Sequence, residues 1–150
     1  MSIKAKAVRI ISSVALVMGS TVGFGVISAG EAHAAGYGCP GSLVWGPKDI
    51  KGEGAYSDTV VASIYGYWNG SNNCEVAVKR VFVGQKTRMQ FWLYSDKDVA
   101  KTDDGYFSSY AGPLTAYNNS GGCVWEEISM WDPNGHEIAQ AYWGSKHNCG

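Results

Sequence analysis

The chain has 150 residues, a formal net charge of −1 at pH 7 and 45% hydrophobic residues. This length fits a single domain. A chain without a basic cluster has no electrostatic attraction for phosphate, which argues against nucleic acid as a partner.

The N-terminus carries the pattern of a secretory signal peptide. Basic residues near the start precede an apolar, uncharged stretch at residues 10–30, and an A-H-A motif at residues 32–34 matches a cleavage site. A retained membrane anchor is the alternative, because a stretch of this length could just span a bilayer. We predict cleavage of residues 1–34, export of residues 35–150 as a single disulfide-bonded β-domain, and no membrane attachment after cleavage.

Four cysteines, Cys39, Cys74, Cys123 and Cys149, lie in the predicted exported part. An even number of cysteines in a secreted chain predicts disulfide bonds, and sequence alone leaves three pairings open. We favour Cys39 with Cys74 and Cys123 with Cys149, because each closes a local loop and ties down a chain end. The spacing does not fit a zinc site, so the sequence predicts no metal and no cofactor.

Short runs rich in Val, Ile, Thr and aromatic residues then alternate with turn residues, which is typical of β-strands. A short strand is expected around Ser42–Trp45. The runs at residues 59–69 and 74–84 are joined by the turn sequence GSNN and predict a hairpin. A further strand is expected at residues 87–95. Its predicted core face comprises Met89, Phe91 and Leu93.

The second strand of the hairpin has one apolar and one polar face. Cys74, Val76 and Val78 alternate with Glu75 and Lys79. Since neighbouring side chains of a strand point to opposite faces, we expect the apolar set to face the core.

The second half of the exported part also predicts strands that are separated by loops and turns. Residues 95–105 are charged and without alternation, which indicates a loop or wide turn. Residues 106–117 predict one or two strands, with Pro113 at a sheet edge, a bulge or a strand start. The turn sequence DPNG joins strands at residues 123–132 and 136–144 in a second hairpin. Altogether about seven or eight strands predict an all-β antiparallel sandwich or small barrel.

The chain is poor in catalytic residues. It lacks a G-x-S-x-G motif, and His136 and His147 are expected at the surface. Glu126 and Glu127 are neighbours on a strand, so they point to opposite faces and form no dyad. Aspartates within residues 96–104 could supply oxygen ligands to calcium, but their spacing differs from an EF-hand loop and a solvated turn is favoured. We predict no catalytic residues.

Aromatic residues are the one unusual feature, with 6 Trp and 9 Tyr in the chain. Tyr65, Tyr67, Trp92 and Tyr94 lie on strand faces opposite the aliphatic residues, where they could form an exposed surface that stacks on a sugar ring or another ligand. The more ordinary explanation is that aromatic residues favour strands and fill space in a sandwich. We take these four as the candidate ligand-binding residues.

Several short motifs resemble one family. The segments YGCPGS, NGSNNC, YFSSYAGP and GGCVW, together with the four cysteines, are similar to the spore-associated protein A group of small exported actinobacterial proteins. The resemblance covers most of the exported part, but not its histidine-bearing C-terminal tail. It implies a secreted protein associated with spores or hyphae and implies no defined activity.

The predicted function is therefore that of a secreted, non-enzymatic protein at the spore or cell surface. It would be structural or would bind cell-wall polysaccharide, another glycan or a secreted protein through exposed aromatic residues. The alternative is a secreted hydrolase or an inhibitor of one.

Overall fold

Eight β-strands form the described part of the chain, which in the computed structural model comprises residues 36–118, 121–142 and 145–149. They are β1 (Ser42–Lys51), β2 (Val60–Trp68), β3 (Asn72–Lys79), β4 (Thr87–Ser95), β5 (Lys101–Phe107), β6 (Tyr110–Tyr117), β7 (Val124–Trp131) and β8 (Glu137–Tyr142). They form two four-stranded antiparallel sheets, in the orders β1-β2-β3-β6 and β5-β4-β7-β8. The predicted all-β antiparallel fold is confirmed, and its form is a sandwich.

The core lies between the two sheets and takes alternate residues from each. In β4, buried residues alternate with half-buried ones, and Met89, Phe91 and Leu93 are buried as predicted. The first sheet contributes Ile50 and Ile64 to the same cluster. This layer determines which side chains of each strand point inward and which point away.

Both predicted hairpins are confirmed. Strands β2 and β3 pair in antiparallel register across a turn in which the Asn69 side-chain oxygen accepts the backbone N–H of Asn72 at 2.9 Å. Strands β7 and β8 pair across a turn in which Asp132 Oδ1 accepts the backbone N–H groups of Asn134 and His136 at 2.8 and 2.9 Å. Side chains that satisfy backbone donors in this way fix tight turns.

Strand β5 (Lys101–Phe107) occupies the second half of the segment predicted as a charged loop, so that prediction holds for residues 96–100 and is wrong for residues 101–105. The strand pairs along its whole length with β4 and lies at the edge of the second sheet. Its structure therefore comes from backbone pairing, and its charges suit an edge that must not pair with another chain. Pro113 lies in β6, an edge strand of the first sheet, where its missing N–H is tolerated as expected.

The predicted orientation of β3 is wrong. Cys74, Val76 and Val78 form a separate buried cluster with Cys39 and Tyr67 on the outer side of the first sheet. Strand β3 is buried on both faces, and its inward face carries polar side chains as well as alanine. The apolar set is buried on the outer side because the segment before β1 covers it.

Two disulfide bonds close the loops that we predicted, Cys39 with Cys74 and Cys123 with Cys149. The first holds the segment before β1 against the outer face of the first sheet, where Cys39 is fully buried. The second holds the C-terminal segment to the start of β7. Within the described residues no helix is long and apolar enough to cross a membrane, and the signal peptide predicted at residues 1–34 lies outside those residues.

Candidate functional site

The four predicted ligand-binding aromatics lie on two different sheets. Tyr65 and Tyr67 belong to β2 in the first sheet, whereas Trp92 and Tyr94 belong to β4 in the second. All four point away from the shared core, so the two pairs face opposite sides of the sandwich. The prediction of one surface made by all four is therefore wrong.

The tyrosines of β2 are engaged within the protein. Tyr67 is only 7% exposed and packs with Cys39 and Cys74. The ring of Tyr65 lies 5.9 Å from that of Tyr37, and its hydroxyl accepts a hydrogen bond from Arg80. These contacts give both tyrosines a packing role beneath the segment that precedes β1.

Aromatic rings from two neighbouring strands form a row on the outer face of the second sheet. Trp92 and Tyr94 of β4 continue onto Trp125 of β7, which is the direct cross-strand neighbour of Tyr94. Adjacent ring centres are 6.2 and 5.7 Å apart, with interplanar angles of 12° and 8°. We call Trp92, Tyr94 and Trp125 the aromatic row; all three are half-buried and nearly parallel.

Polar groups border the aromatic row. The Tyr94 hydroxyl donates a hydrogen bond to Glu127 Oε2 at 3.1 Å, and Tyr142, which is 62% exposed, lies opposite Glu127 on β8. The Lys146 ammonium lies 5.0 Å from the centre of the Trp125 ring. Flat apolar rings with hydrogen-bonding groups beside them complement a sugar ring, which has apolar C–H faces and a rim of hydroxyls.

A second group of functional side chains lies between the sheets at one end of the sandwich. Glu75 from β3 and Glu126 from β7 are both fully buried, and His147 lies between them. His147 Nε2 is 2.9 Å from Glu75 Oε1, and His147 Nδ1 is 3.6 Å from Glu126 Oε2. We call these three residues the Glu-Glu-His cluster.

The C-terminal segment brings His147 into this position. Its backbone exchanges two hydrogen bonds with Val124, at 2.9 and 3.0 Å, and the bond from Cys123 to Cys149 closes the same segment. The Trp45 ring stacks on the imidazole at a centre distance of 3.9 Å. The His147 side chain is consequently 13% exposed, and the prediction that it lies at the surface is wrong. His136, with a 78% exposed side chain, does lie there.

Burial dominates the electrostatics of the cluster. It raises the pKa of Glu75, and the hydrogen bond from His147 acts in the opposite direction. It raises the pKa of Glu126 from 4.5 to about 9, with a further upward contribution from Glu75 and a downward one from Lys48. Among the described residues, Glu75 Oε2 and both oxygens of Glu126 have no hydrogen-bond partner. Such buried acceptors are costly unless a proton or a cation compensates them.

Sequence reasoning missed this cluster, although part of its signal was present. Glu126 lies between Val124 and Ile128 at every second position of β7, and strand alternation places it on the core face with them. Glu75 lies two residues before the buried Ala77 in the same way. The convergence of the two strands on His147 depends on the tertiary fold and could not be obtained from the pattern.

The aspartates considered for calcium do not converge. Asp96 pairs with Lys146, Asp98 with Lys101, and Asp104 with Arg88. Asp103 accepts a backbone hydrogen bond from β6. In the described part of the chain, the one set of acidic and histidine side chains with metal-ligand spacing is the Glu-Glu-His cluster.

Comparison of the chain with protein-family models, with curated proteins and with solved structures finds no match. Functional inference therefore depends on the aromatic row, the Glu-Glu-His cluster and the disulfide-bonded sandwich that positions them.

Proposed function

We propose that the protein is a secreted, non-enzymatic binding protein that attaches to cell-wall or cell-surface polysaccharide through the aromatic row. The observation that carries the proposal is the alignment of Trp92, Tyr94 and Trp125 as nearly parallel, half-buried rings on the outer face of one sheet. Adjacent sugar units of a polymer could contact successive rings, and the hydroxyls could bond to Glu127 and its neighbours.

An extracellular location fits the covalent structure. Two disulfide bonds and no free cysteine among the described residues are what an oxidising compartment favours. The signal peptide predicted at residues 1–34 would deliver the chain there. The resemblance to spore-associated exported proteins supports attachment at the spore or cell surface.

The charge of this face favours a neutral polymer over nucleic acid. Near the aromatic row, Arg88 is paired with Asp104 and Lys146 with Asp96, whereas Glu127 accepts a hydrogen bond from the Tyr94 hydroxyl. The Glu127 carboxylate beside the rings would repel a phosphate backbone. An uncharged sugar polymer has no such penalty.

The alternative predicted from the sequence, a secreted hydrolase or an inhibitor, has less support. Glycoside hydrolysis needs two carboxyl groups that reach a substrate across a cleft. Glu75 and Glu126 come from facing sheets, but both are fully buried. Their position fits an internal role better than contact with a polymer.

The test is retention of the protein on insoluble polysaccharides and on cell-wall preparations. Replacing one ring, in Trp92→Ala or Trp125→Ala, should weaken binding roughly two- to tenfold, because an aromatic contact contributes about 0.5–1.5 kcal/mol. Tyr117→Ala is the matched control, since Tyr117 is 49% exposed but lies on β6 of the other sheet.

Equal retention of all three variants would contradict the aromatic row as the binding surface. A wild-type protein that binds none of the matrices would contradict polysaccharide binding itself. Unchanged thermal unfolding of each variant excludes misfolding as the cause of lost retention.

A further inference from the structure

We propose that the Glu-Glu-His cluster binds a divalent transition-metal cation, with Zn²⁺ as the ion that fits its ligands best. Two carboxylates and a neutral imidazole together carry a charge of about −2, which one divalent ion would neutralise. Carboxylate oxygen and imidazole nitrogen are both common zinc ligands. This site is separate from the aromatic row, and the inference does not depend on the proposed function.

The distances in the cluster fit an ion between Glu126 and His147. The separation of 3.6 Å between Glu126 Oε2 and His147 Nδ1 is too long for a hydrogen bond. It is close to the distance of roughly 3.4 Å that separates two ligand atoms of one tetrahedral zinc ion when each zinc–ligand bond is about 2.1 Å long. Ligand atoms from all three residues lie within 4.8 Å of one another.

Glu75 has the position of a residue that orients the imidazole. Its Oε1 contacts His147 Nε2 at 2.9 Å, which leaves Nδ1 directed at Glu126. Metal-bound histidines commonly donate their second ring N–H to a carboxylate, which fixes the ring and increases its basicity. We therefore assign Glu126 and His147 as direct ligands and Glu75 as the positioning residue that completes the charge.

Other buried polar atoms near the cluster point to a polar occupant. Asn73 is fully buried, and neither its side-chain oxygen nor its nitrogen has a partner among the described residues. It precedes Glu75 by two positions on β3, so it lies on the same inward face. Unpartnered buried amides are rare in folded proteins, and an amide oxygen can bind a metal ion or a water attached to it.

A glycine leaves space beside the cluster. A Cβ atom at Gly66 would lie 3.4 Å from Glu75 Oε1 and 3.2 Å from Asn148 Nδ2. Asn148 Nδ2 also has no partner in the described part of the chain. A side chain at position 66 would crowd both atoms, so the glycine lets Glu75 keep its contact with the imidazole, and Asn148 Nδ2 could donate to a carboxylate or to a water beside the ion.

A cavity lies next to the cluster. It has a volume of about 210 Å³ and is lined by Trp45, Lys48, Ser145, Lys146 and His147. A hydrated ion could enter there and exchange water for Glu126 and His147. The positive charge of Lys48 near Glu126 opposes cation binding, so zinc has to compete with this lysine as well as with protons.

The experiment measures zinc binding to oxidised protein after removal of metals with a chelator. Isothermal titration calorimetry should give one Zn²⁺ per chain, and the melting temperature should rise with zinc concentration. Glu126→Gln and His147→Gln should each weaken binding at least tenfold. Ca²⁺ and Mg²⁺, which prefer oxygen ligands, should bind more weakly than Zn²⁺.

The matched control is His136→Gln, which removes the exposed histidine beside Asp132. This variant should bind zinc as the wild type does. Absence of zinc binding by the wild type would overturn the proposal. So would binding that persists in Glu126→Gln and His147→Gln but disappears in His136→Gln, because the ion would then occupy a surface site.

Discussion

Glu126 is a carboxyl group whose folded environment favours the protonated form. Burial, followed by the proximity of Glu75, raises its pKa from 4.5 to about 9. The folded state therefore holds a proton that the unfolded chain releases above about pH 4.5. Between about pH 4.5 and about pH 9 the unfolded state binds fewer protons than the folded state, so the free energy of unfolding decreases as the pH rises.

We predict that the free energy of unfolding of metal-free protein falls between about pH 4.5 and about pH 9 because of Glu126. Glu126→Gln, which keeps the shape of the protonated acid, should flatten this profile and be more stable than the wild type at pH 8. The decrease from one such group is at most about 1.4 kcal/mol per pH unit. Urea denaturation in the presence of a chelator, repeated across the pH range, measures it.

Glu127→Gln provides the comparison for this experiment. Glu127 is the next residue of the chain but points outward, where it accepts a hydrogen bond from Tyr94. Its variant should keep the slope of the wild type. If the stability of Glu126→Gln decreases with pH as steeply as that of the wild type, Glu126 does not hold the proton. Glu75, whose pKa burial also raises, would then be the group that holds it.

The burial of Glu75, Glu126 and His147 could not be predicted from the sequence. Charged side chains are almost always exposed, so Glu75 was expected outside the core and His147 in solvent, and no face was assigned to Glu126. Their burial depends on pairing three segments that are distant along the chain. The inward direction of Glu126 follows from alternation with Val124 and Ile128. Its contact with His147 depends on the position of the C-terminal segment, which is held by the backbone hydrogen bonds to Val124 and by the disulfide from Cys123 to Cys149.

A buried lysine at the end of strand β3 connects the first sheet to the second. Lys79 Nζ donates hydrogen bonds to Gln85 O and Thr87 Oγ1, both at 2.8 Å, and to Phe107 O at 3.1 Å. These acceptors lie at the start of β4, in the loop before it and at the end of β5. One ammonium group therefore links the first sheet to two strands of the second.

We predict that Lys79→Met lowers the free energy of unfolding by about 2–3 kcal/mol. The methionine would fill the space but would leave acceptors such as Thr87 Oγ1 without their charged donor, and hydrogen bonds of this kind contribute about 1.5–3 kcal/mol. Lys86→Met, at an exposed position between β3 and β4, should change stability by less than about 0.5 kcal/mol. Chemical denaturation of the two variants tests the difference, and equal stabilities would contradict a structural role for Lys79.

The strands differ in how well their sequences predict them. The β2–β3 and β7–β8 hairpins follow from turn residues whose side chains bind the local backbone. The first part of strand β5 was expected in a loop because its charged residues show no apolar alternation, and its pairing with β4 supplies its structure. The inward face of strand β3 was predicted wrongly because both of its faces are buried. In such a strand, apolar alternation does not show which face points to the core between the sheets.

The sandwich as a whole combines a sizeable core with two covalent links. The disulfides close loops of 35 and 26 residues, each of which should contribute about 3–4 kcal/mol in the chain-entropy model. The core between the sheets is extensive, with fully buried residues from both. The core, rather than the disulfides, should determine whether the chain folds.

We predict that reduction lowers the melting temperature but leaves the β-structure in place at room temperature. Far-ultraviolet circular dichroism of the oxidised and reduced protein, with thermal melts, measures both effects. The paired variants Cys39→Ser/Cys74→Ser and Cys123→Ser/Cys149→Ser separate the two links. Complete loss of the β signal on mild reduction would contradict the prediction.

The two sheets present very different outer faces. The segment before β1, held by Cys39, covers the outer face of the first sheet, whereas the aromatic row on the second sheet is partly exposed. If that row is the attachment surface, each copy of the protein is monovalent. Such a molecule would coat a polymer without cross-linking it. In a layer of these molecules, every copy would present the outer face of the first sheet, with the segment before β1, to the surroundings.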